Sequence, residues 1–392
     1  MQHVRLKSIL DNDFYKITMQ NAVVKLFTNE IVKYEFINRG QHNFPDNFAV
    51  ELRKAVDDMA KLKLTKEEKA YLRKTCPYLS LPYLDFLEGY QYDPSEVKIE
   101  QNGSDVKVSV EGYWYRTILW EVPILALISE LHYEMNHFER QSNQEVIDKT
   151  VEKGKHLTDL GVSFAEFGTR RRHSYHVHNL VMEALLQDEN STFIGTSNVH
   201  FAMKFNVKPI GTHAHEWFMF HAAEFGFKMA NSLALEHWID VYRGDLGVAL
   251  SDTYTTDVFF QQFDKKFSKL FDGVRHDSGD PIEFAEKTIA HYQSLGINPL
   301  FKYIIFSDGL NLEKVDEITK ACRGKIGISF GIGTNLTNDV GLKPMNIVMK
   351  LIGVQAPNKE WIPTVKLSDE KGKYTGDPKM IELAKEFLRI KE

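Results

Sequence analysis

IGTSNVHFAMKFNVKPIGTHAHEW, residues 194–217, holds two short apolar segments that each end in Gly-Thr, at Gly195-Thr196 and Gly211-Thr212. The second runs directly into His213-Ala-His215-Glu216 and then into a helical pattern. An apolar run, a glycine, a hydroxyl, a histidine and a helix start are the parts by which a strand delivers a polar side chain to the rim of an α/β fold. His215 is the residue expected to give the chain its particular chemistry.

Outward from this stretch the same plan recurs. Phe164–Phe167 leads into Gly168-Thr-Arg-Arg, and Gly247–Leu250 into Ser-Asp252-Thr. Gly273–Arg275 leads into His-Asp277-Ser278-Gly-Asp280-Pro, Tyr303–Phe306 into Ser-Asp308-Gly309, and Ile326–Phe330 into Gly331-Ile-Gly333-Thr334. Asn346–Leu351 reads as a further strand that closes the set. About eight alternating units imply a parallel sheet, and a closed but irregular β/α barrel fits better than an open sheet. Ligands of either architecture bind at the carboxyl ends of the strands, where all these corners lie.

Upstream the pattern is different. Residues 1–30 read as a helix that Asp11 or Asp13 caps, Lys33–Ile37 as a strand, and Thr65-x-x-Glu68 as a capping box. Alternating residues on either side of Asn102-Gly103 predict a hairpin, and Ile118–His137 a long helix started by Pro123. The expected organisation is an N-terminal α+β domain over 1–135, joined by 352–392, and a barrel over 136–351. The run 11–16 crowds polar groups around an aromatic pair.

Composition sets the limits. The chain has 392 residues, 43% hydrophobic and 26% charged, as expected of a packed globular protein. A net charge of -6 argues against wholesale nucleic-acid binding. Cys76 and Cys322 are the two cysteines and form no CxxC, which argues against a disulfide framework or a structural zinc site. Residues 120–131 are too short and too interrupted to span a bilayer, and the first residues lack the apolar core of a signal peptide. The expectation is a soluble, cytoplasmic protein.

Each corner has a functional and a structural reading. Asp252, Asp277, Asp280 and Asp308 are either helix N-caps or a carboxylate group that needs a cation, of which Mg²⁺ shared with substrate phosphates fits best. Gly309, Gly331, Gly333 and Thr334 make either tight turns or a phosphate cradle of freed backbone N–H groups. Arg170, Arg171 and Arg172 are a charged surface run or a grip on diphosphate. Arg275, flanked by Val274 and His276, is expected inside the rim. His213 and His215 are a zinc pair or structural histidines, or His215 is a nucleophile or phosphate carrier whose other ring nitrogen Glu216, Asp252 or Asp277 holds.

The motifs GTHAHEWF, ALSDTYTTD, GVRHDSGDP, FSDGL, SFGIGTNLT and the leading DNDFYKITM, with VKLSD near the end, together resemble the nicotinate phosphoribosyltransferase family, in order and over nearly the whole chain. The resemblance implies an irregular β/α barrel of the type II phosphoribosyltransferase kind with an N-terminal domain, usually as a homodimer. It implies a reaction of nicotinate with 5-phosphoribosyl-1-diphosphate to give nicotinate mononucleotide and diphosphate in NAD salvage, coupled to ATP hydrolysis through a phosphohistidine and requiring Mg²⁺. His215 matches the phosphorylated position, with Glu216 beside it. Tyr15 and Phe167 match aromatics that sandwich the pyridine ring, Tyr15 from across a dimer interface. Thr212 and Arg275 match nicotinate contacts, Arg275 pairing with the carboxylate. Asp252, Asp277 and Asp308 match positions around the ribose and Mg²⁺. Gly309, Gly331, Gly333 and Thr334 match the 5-phosphate cradle, Arg171 the diphosphate side, and Thr196 and Ser278 further substrate contacts. A nicotinamide-specific transferase, a metal-dependent hydrolase using His213 and His215, and a non-catalytic nucleotide binder are the alternatives.

Overall fold

The computed structural model describes residues 5–370 and 373–390. The chain divides into two compact units, one of 1–159, 164–211 and 332–350, the other of 160–163, 212–331 and 351–392.

In the first unit β1 (Ile31–Asn38) and β2 (Val97–Asn102) each pair antiparallel with β3 (Asp105–Tyr113). Asn102 pairs with Asp105, so the two-residue turn falls on Gly103-Ser104, and Gly103 takes the left-handed φ of +57° that glycine adopts without strain. The capping box forms with both arms: Glu68 N–H donates to Thr65 Oγ1 and Thr65 N–H to Glu68 Oε2. The long helix spans Glu121–Met135 and is apolar on nearly every face, because almost all of it is buried. The first helix is Phe14–Leu26, shorter than the sequence pattern; Asp13 stands at its N-cap without capping it. Residues 1–4 lie outside the described part.

Parallel pairing begins with β4 (Ser163–Glu166), β5 (Phe193–Thr196) and β6 (Lys208–Pro209), each followed by a polar corner. In the second unit β7 (Arg243–Leu246) is a short irregular strand. There β8 (Val248–Leu250), β9 (Gly273–His276), β10 (Tyr303–Phe306) and β11 (Gly327–Ile332) pair in parallel in that order. Helices Pro281–Ser294 and Leu312–Cys322 connect them. This is the connectivity of an irregular β/α barrel, accompanied by an antiparallel sheet. Among the described residues the parallel sheet has seven strands, not eight. The segment expected to close the set, β12 (Ile347–Gln355), pairs antiparallel with β13 (Ile362–Pro363) instead. Its alternating burial and its length suit a sheet with one solvated face, unlike the short buried runs of the barrel. Among the described residues no helix is long and apolar enough to cross a membrane.

Candidate active site

The second unit builds its polar centre where β8 and β9 end. His215 opens the helix His215–Phe225; its N-cap, Ala214, has no side chain able to cap. The ring is held at both nitrogens: Nδ1 lies 3.0 Å from Thr253 Oγ1 and Nε2 3.0 Å from Asp277 Oδ2. Asp252 Oδ1 is 3.8 Å from the same Nε2. One ligand atom from each of His215, Asp252 and Asp277 falls within 4.8 Å of the others.

The two carboxylates are supported from behind. Ser307 Oγ donates to Asp277 Oδ1 at 2.8 Å, and Ser278 Oγ to Asp252 Oδ2 at 2.5 Å. Lys366 Nζ, itself buried, stands 3.7 Å from Asp252 Oδ2. Burial alone raises both carboxyls. The His215 hydrogen bond and the charges of Arg275 and Lys366 overcome it at Asp277 and hold it well below the usual carboxylate range; at Asp252 the charges of Lys366 and His215 outweigh burial and lower it. Burial, helped by the Lys366 charge, pushes His215 down to about 4, so the ring is neutral near pH 7. An ionised carboxylate only accepts, so Nε2 carries the proton and Nδ1 presents its lone pair to the Thr253 hydroxyl.

The two histidines of the HxH separate. His213 is fully buried, packed at 5.2 Å from Phe218 and 4.6 Å from Trp238 between ring centroids, and its Nε2 accepts the Leu250 N–H. It takes no part in the carboxylate group, so the zinc-pair arrangement does not form. The four aspartates separate too. Asp280 is an exposed N-cap that accepts from Ile282 N–H and Glu283 N–H, which is the structural reading of that corner. Asp308 faces Lys373 Nζ at 3.4 Å and is not a member of the metal-type group, and Gly309 beside it takes φ +55°. Glu216 is buried in the first helical turn, but Asp277 and Thr253 hold the ring nitrogens. Arg275 lies in β9 opposite Leu250 and Ile305, and its buried Nε has no hydrogen-bond partner. Thr212 donates its hydroxyl to Val248 O at 3.1 Å, and Gly331 is buried in β11.

The first unit places the remaining residues. Tyr15, in the first turn of Phe14–Leu26, is half-buried, and Gly211 packs so close that a Cβ there would stand 2.8 Å from Tyr15 N. Phe167, also half-buried, donates its N–H to Ile332 O; Gly333 and Thr334 follow at the start of a short helix. Thr196 is fully buried, its hydroxyl donating to Glu166 Oε2 at 2.5 Å and accepting Asn198 N–H. The three arginines divide. Arg172 is buried in a bidentate pair with Asp11, at 2.7 and 2.9 Å, and Arg170 reaches Glu121. Arg171 remains half-exposed. The polar crowding of 11–16 thereby has its cause: Asp11 meets Arg172, Asp13 accepts from Ser197, and Lys16 pairs with Glu121, all buried.

Sequence reasoning missed Thr253, Lys366 and Ser307. VKLSD at 365–369 was the available signal for Lys366: a lysine between two apolar residues is unusual for a solvated segment. Nothing local distinguishes Thr253 from its neighbours Thr255 and Thr256.

Comparison with known proteins follows the same lines. The sequence profile of the Nicotinate phosphoribosyltransferase (NAPRTase) family matches residues 162–392, and that of the NAPRTase N-terminal domain residues 10–129. The nicotinate phosphoribosyltransferase of Chromohalobacter salexigens is 60% identical, over 98% of this chain and 99% of that one. That of Desulforapulum autotrophicum is 50% identical over 95% of this chain and 96% of its own length. The crystal structure of the Porphyromonas gingivalis nicotinate phosphoribosyltransferase superposes with a TM-score of 0.96 at 46% identity, covering 98% of this chain and all (100%) of that one.

Proposed function

The chain belongs to the nicotinate phosphoribosyltransferase family, and on that premise we propose that it joins nicotinate to 5-phosphoribosyl-1-diphosphate, releasing diphosphate and forming nicotinate mononucleotide, with ATP hydrolysis coupled through a phosphohistidine at 215. The observation that carries this reading is an imidazole held at its two nitrogens by Thr253 and Asp277, with the Asp252 carboxylate alongside.

In the phosphorylating half, Nδ1 of His215 is the nucleophile. Its bond to the γ-phosphorus forms as the bond to ADP breaks; the Thr253 hydroxyl turns aside, and the positive charge on the ring is met by Asp277 at Nε2. The new phosphoryl group adds about -1.5 to -2 charge beside the carboxylates, if it behaves as other phosphoryl groups do. In the transfer half, the pyridine nitrogen attacks the anomeric carbon as diphosphate leaves. Positive charge grows on the sugar, and Asp252 and Asp277 stabilise it. Holding both substrates in line supplies much of the remaining acceleration.

Asp252 and Asp277 are suited to hold Mg²⁺: they are hard oxygen donors, and Asp252 Oδ1 is buried without a hydrogen-bond partner. Bound Mg²⁺ supplies neutralisation of the diphosphate oxygens. Arg275 pairs with the nicotinate carboxylate. Nicotinamide would leave that guanidinium, whose Nε is buried, without its anionic partner. Tyr15 and Phe167 take the ring faces, Tyr15 of one subunit serving the other in a homodimer. Gly309, Gly331, Gly333 and Thr334 take the 5-phosphate, Asp308 the ribose, and Arg171 the diphosphate. Thr196, Thr212, Ser278 and Glu216 complete the set.

The test is product formation from nicotinate, the sugar diphosphate and Mg²⁺, with and without ATP, and with nicotinamide in place of nicotinate. ATP-stimulated mononucleotide from the acid alone is expected. Equal turnover of the amide would reassign the chain to a nicotinamide transferase.

A further inference from the structure

β8 is an end strand of its sheet, with β9 as its one strand neighbour among the described residues. An end strand has a row of backbone groups on its free edge, and these must find partners when buried. All three residues of β8 are buried. Val248 and Leu250 are two apart, so their backbone groups point to the same edge. Two consecutive side chains meet that edge: Thr212 Oγ1 donates to Val248 O at 3.1 Å, and His213 Nε2 accepts from Leu250 N–H at 3.2 Å. The next contact along both segments is His215 Nδ1 with Thr253 Oγ1 at 3.0 Å. Three rungs, 212–248, 213–250 and 215–253, therefore stitch the approach to His215 onto the strand that leads to Asp252.

We propose that Thr212 and His213 are positioning residues, a side-chain seam standing in for a missing strand, which sets His215 in register with Thr253 and Asp252. This rests on the reading of His215 as the phosphoryl acceptor. His213 cannot exchange roles with it, since it is fully buried between Phe218 and Trp238. Those two rings fix its plane and leave Nε2 as the acceptor for β8. What the position requires is an acceptor four bonds from Cα. Gln places Oε1 there; Asn, one bond shorter, does not, and Leu fills the space without accepting.

The test is the rate of ³²P incorporation from γ-labelled ATP in the absence of nicotinate, followed by kcat and KM for mononucleotide synthesis. His213→Leu and His213→Asn are expected to slow labelling and lower kcat on the order of 10- to 100-fold, the scale of a misplaced reacting group. KM for nicotinate should change less than about two-fold, since the His213 ring is fully buried and is given no substrate contact of its own, and His213→Gln should recover most of the labelling rate. Labelling of His213→Leu at the wild-type rate overturns the seam, as does an equal loss in all three variants, which would make the ring and not its acceptor the requirement. Should His213→Leu fail to fold, Thr212→Val, which removes the hydroxyl at constant shape, is expected to slow nicotinate-independent labelling, and an unchanged rate overturns the proposal. His215→Asn is the control. A wild-type protein that neither labels nor makes mononucleotide defeats the functional reading, and the seam's role with it; a labelled wild type beside an unaffected His213→Leu defeats the seam alone.

Discussion

His215 Nε2 stands 3.0 Å from Asp277 Oδ2, so the carboxylate fixes the tautomer and is in place to meet positive charge on the ring. His215→Asn should abolish acid-labile label from ATP. Asp277→Asn keeps the shape and removes the charge, and labelling should fall by roughly 100-fold or more, as when a carboxylate that orients a catalytic histidine is neutralised. Asp252→Asn should retain labelling better and lose Mg²⁺-dependent synthesis. Scintillation counting of trapped protein separates the three; equal labelling of wild type and Asp277→Asn would remove the orienting role.

Arg275 presents a buried Nε without a hydrogen-bond partner on the strand that leads into Asp277. A charged donor left this way costs free energy unless a ligand meets it. Arg275→Ala should raise the apparent KM for nicotinate by roughly 10-fold or more, as loss of a buried charge pair predicts, with a much smaller change for the sugar diphosphate. Steady-state kinetics with each substrate varied in turn gives the answer. Equal effects on both would remove the carboxylate contact.

Much of this centre was legible because strand-to-polar corners carry their own grammar. Asp252, Asp277 and His215 each follow a short apolar run, and the sheet brings those ends together. Asp280 and Asp308 follow the same grammar and do not join: Asp280 is a helix N-cap, which requires the same residue type after the same strand as a metal ligand does, and Asp308 pairs with Lys373. Arg172 was legible as charge but not as structure: its partner Asp11 lies 161 residues away, beyond any local pattern. Lys366 was hidden for the same reason, arriving at Asp252 from 114 residues downstream (366 − 252). β12 failed as a barrel strand because apolar residues along a strand do not declare the direction of its partner.

The Asp11–Arg172 pair tests how firmly the first unit is tied. Both side chains are almost wholly buried and joined by two charge-assisted hydrogen bonds, and Asn198 donates a third to Asp11 at 2.8 Å. Burial alone would raise Asp11, but Arg172 reverses this and holds it below the ordinary value. Removing one partner leaves the other charge uncompensated, so Asp11→Asn should destabilise the protein by about 3–5 kcal/mol. Urea unfolding followed by tryptophan fluorescence measures it. A midpoint within error of the wild type would mean that water replaces the pair without cost.

His221 makes stability depend on pH with a definite sign. Its ring is fully buried, with Nδ1 2.6 Å from Trp217 O and Nε2 2.9 Å from His237 Nδ1. Burial, assisted by His237 and opposed by the Trp217 carbonyl, pushes it down to about 3 from an ordinary 6.5. Between those values the unfolded chain takes up a proton that the folded chain refuses. Stability from this residue is therefore whole above pH 6.5 and declines as pH falls, by up to roughly 1.4 kcal/mol per pH unit. Other buried histidines add to the slope, so the informative quantity is a difference. His221→Asn offers Trp217 O an amide donor and has no proton to take up. Its unfolding free energy, measured at pH 7, 6 and 5, should fall less steeply than that of the wild type, approaching one proton's worth of slope by pH 5. Parallel curves would show that His221 is protonated as readily in the folded chain as in the unfolded one, and that His237 or water reaches it.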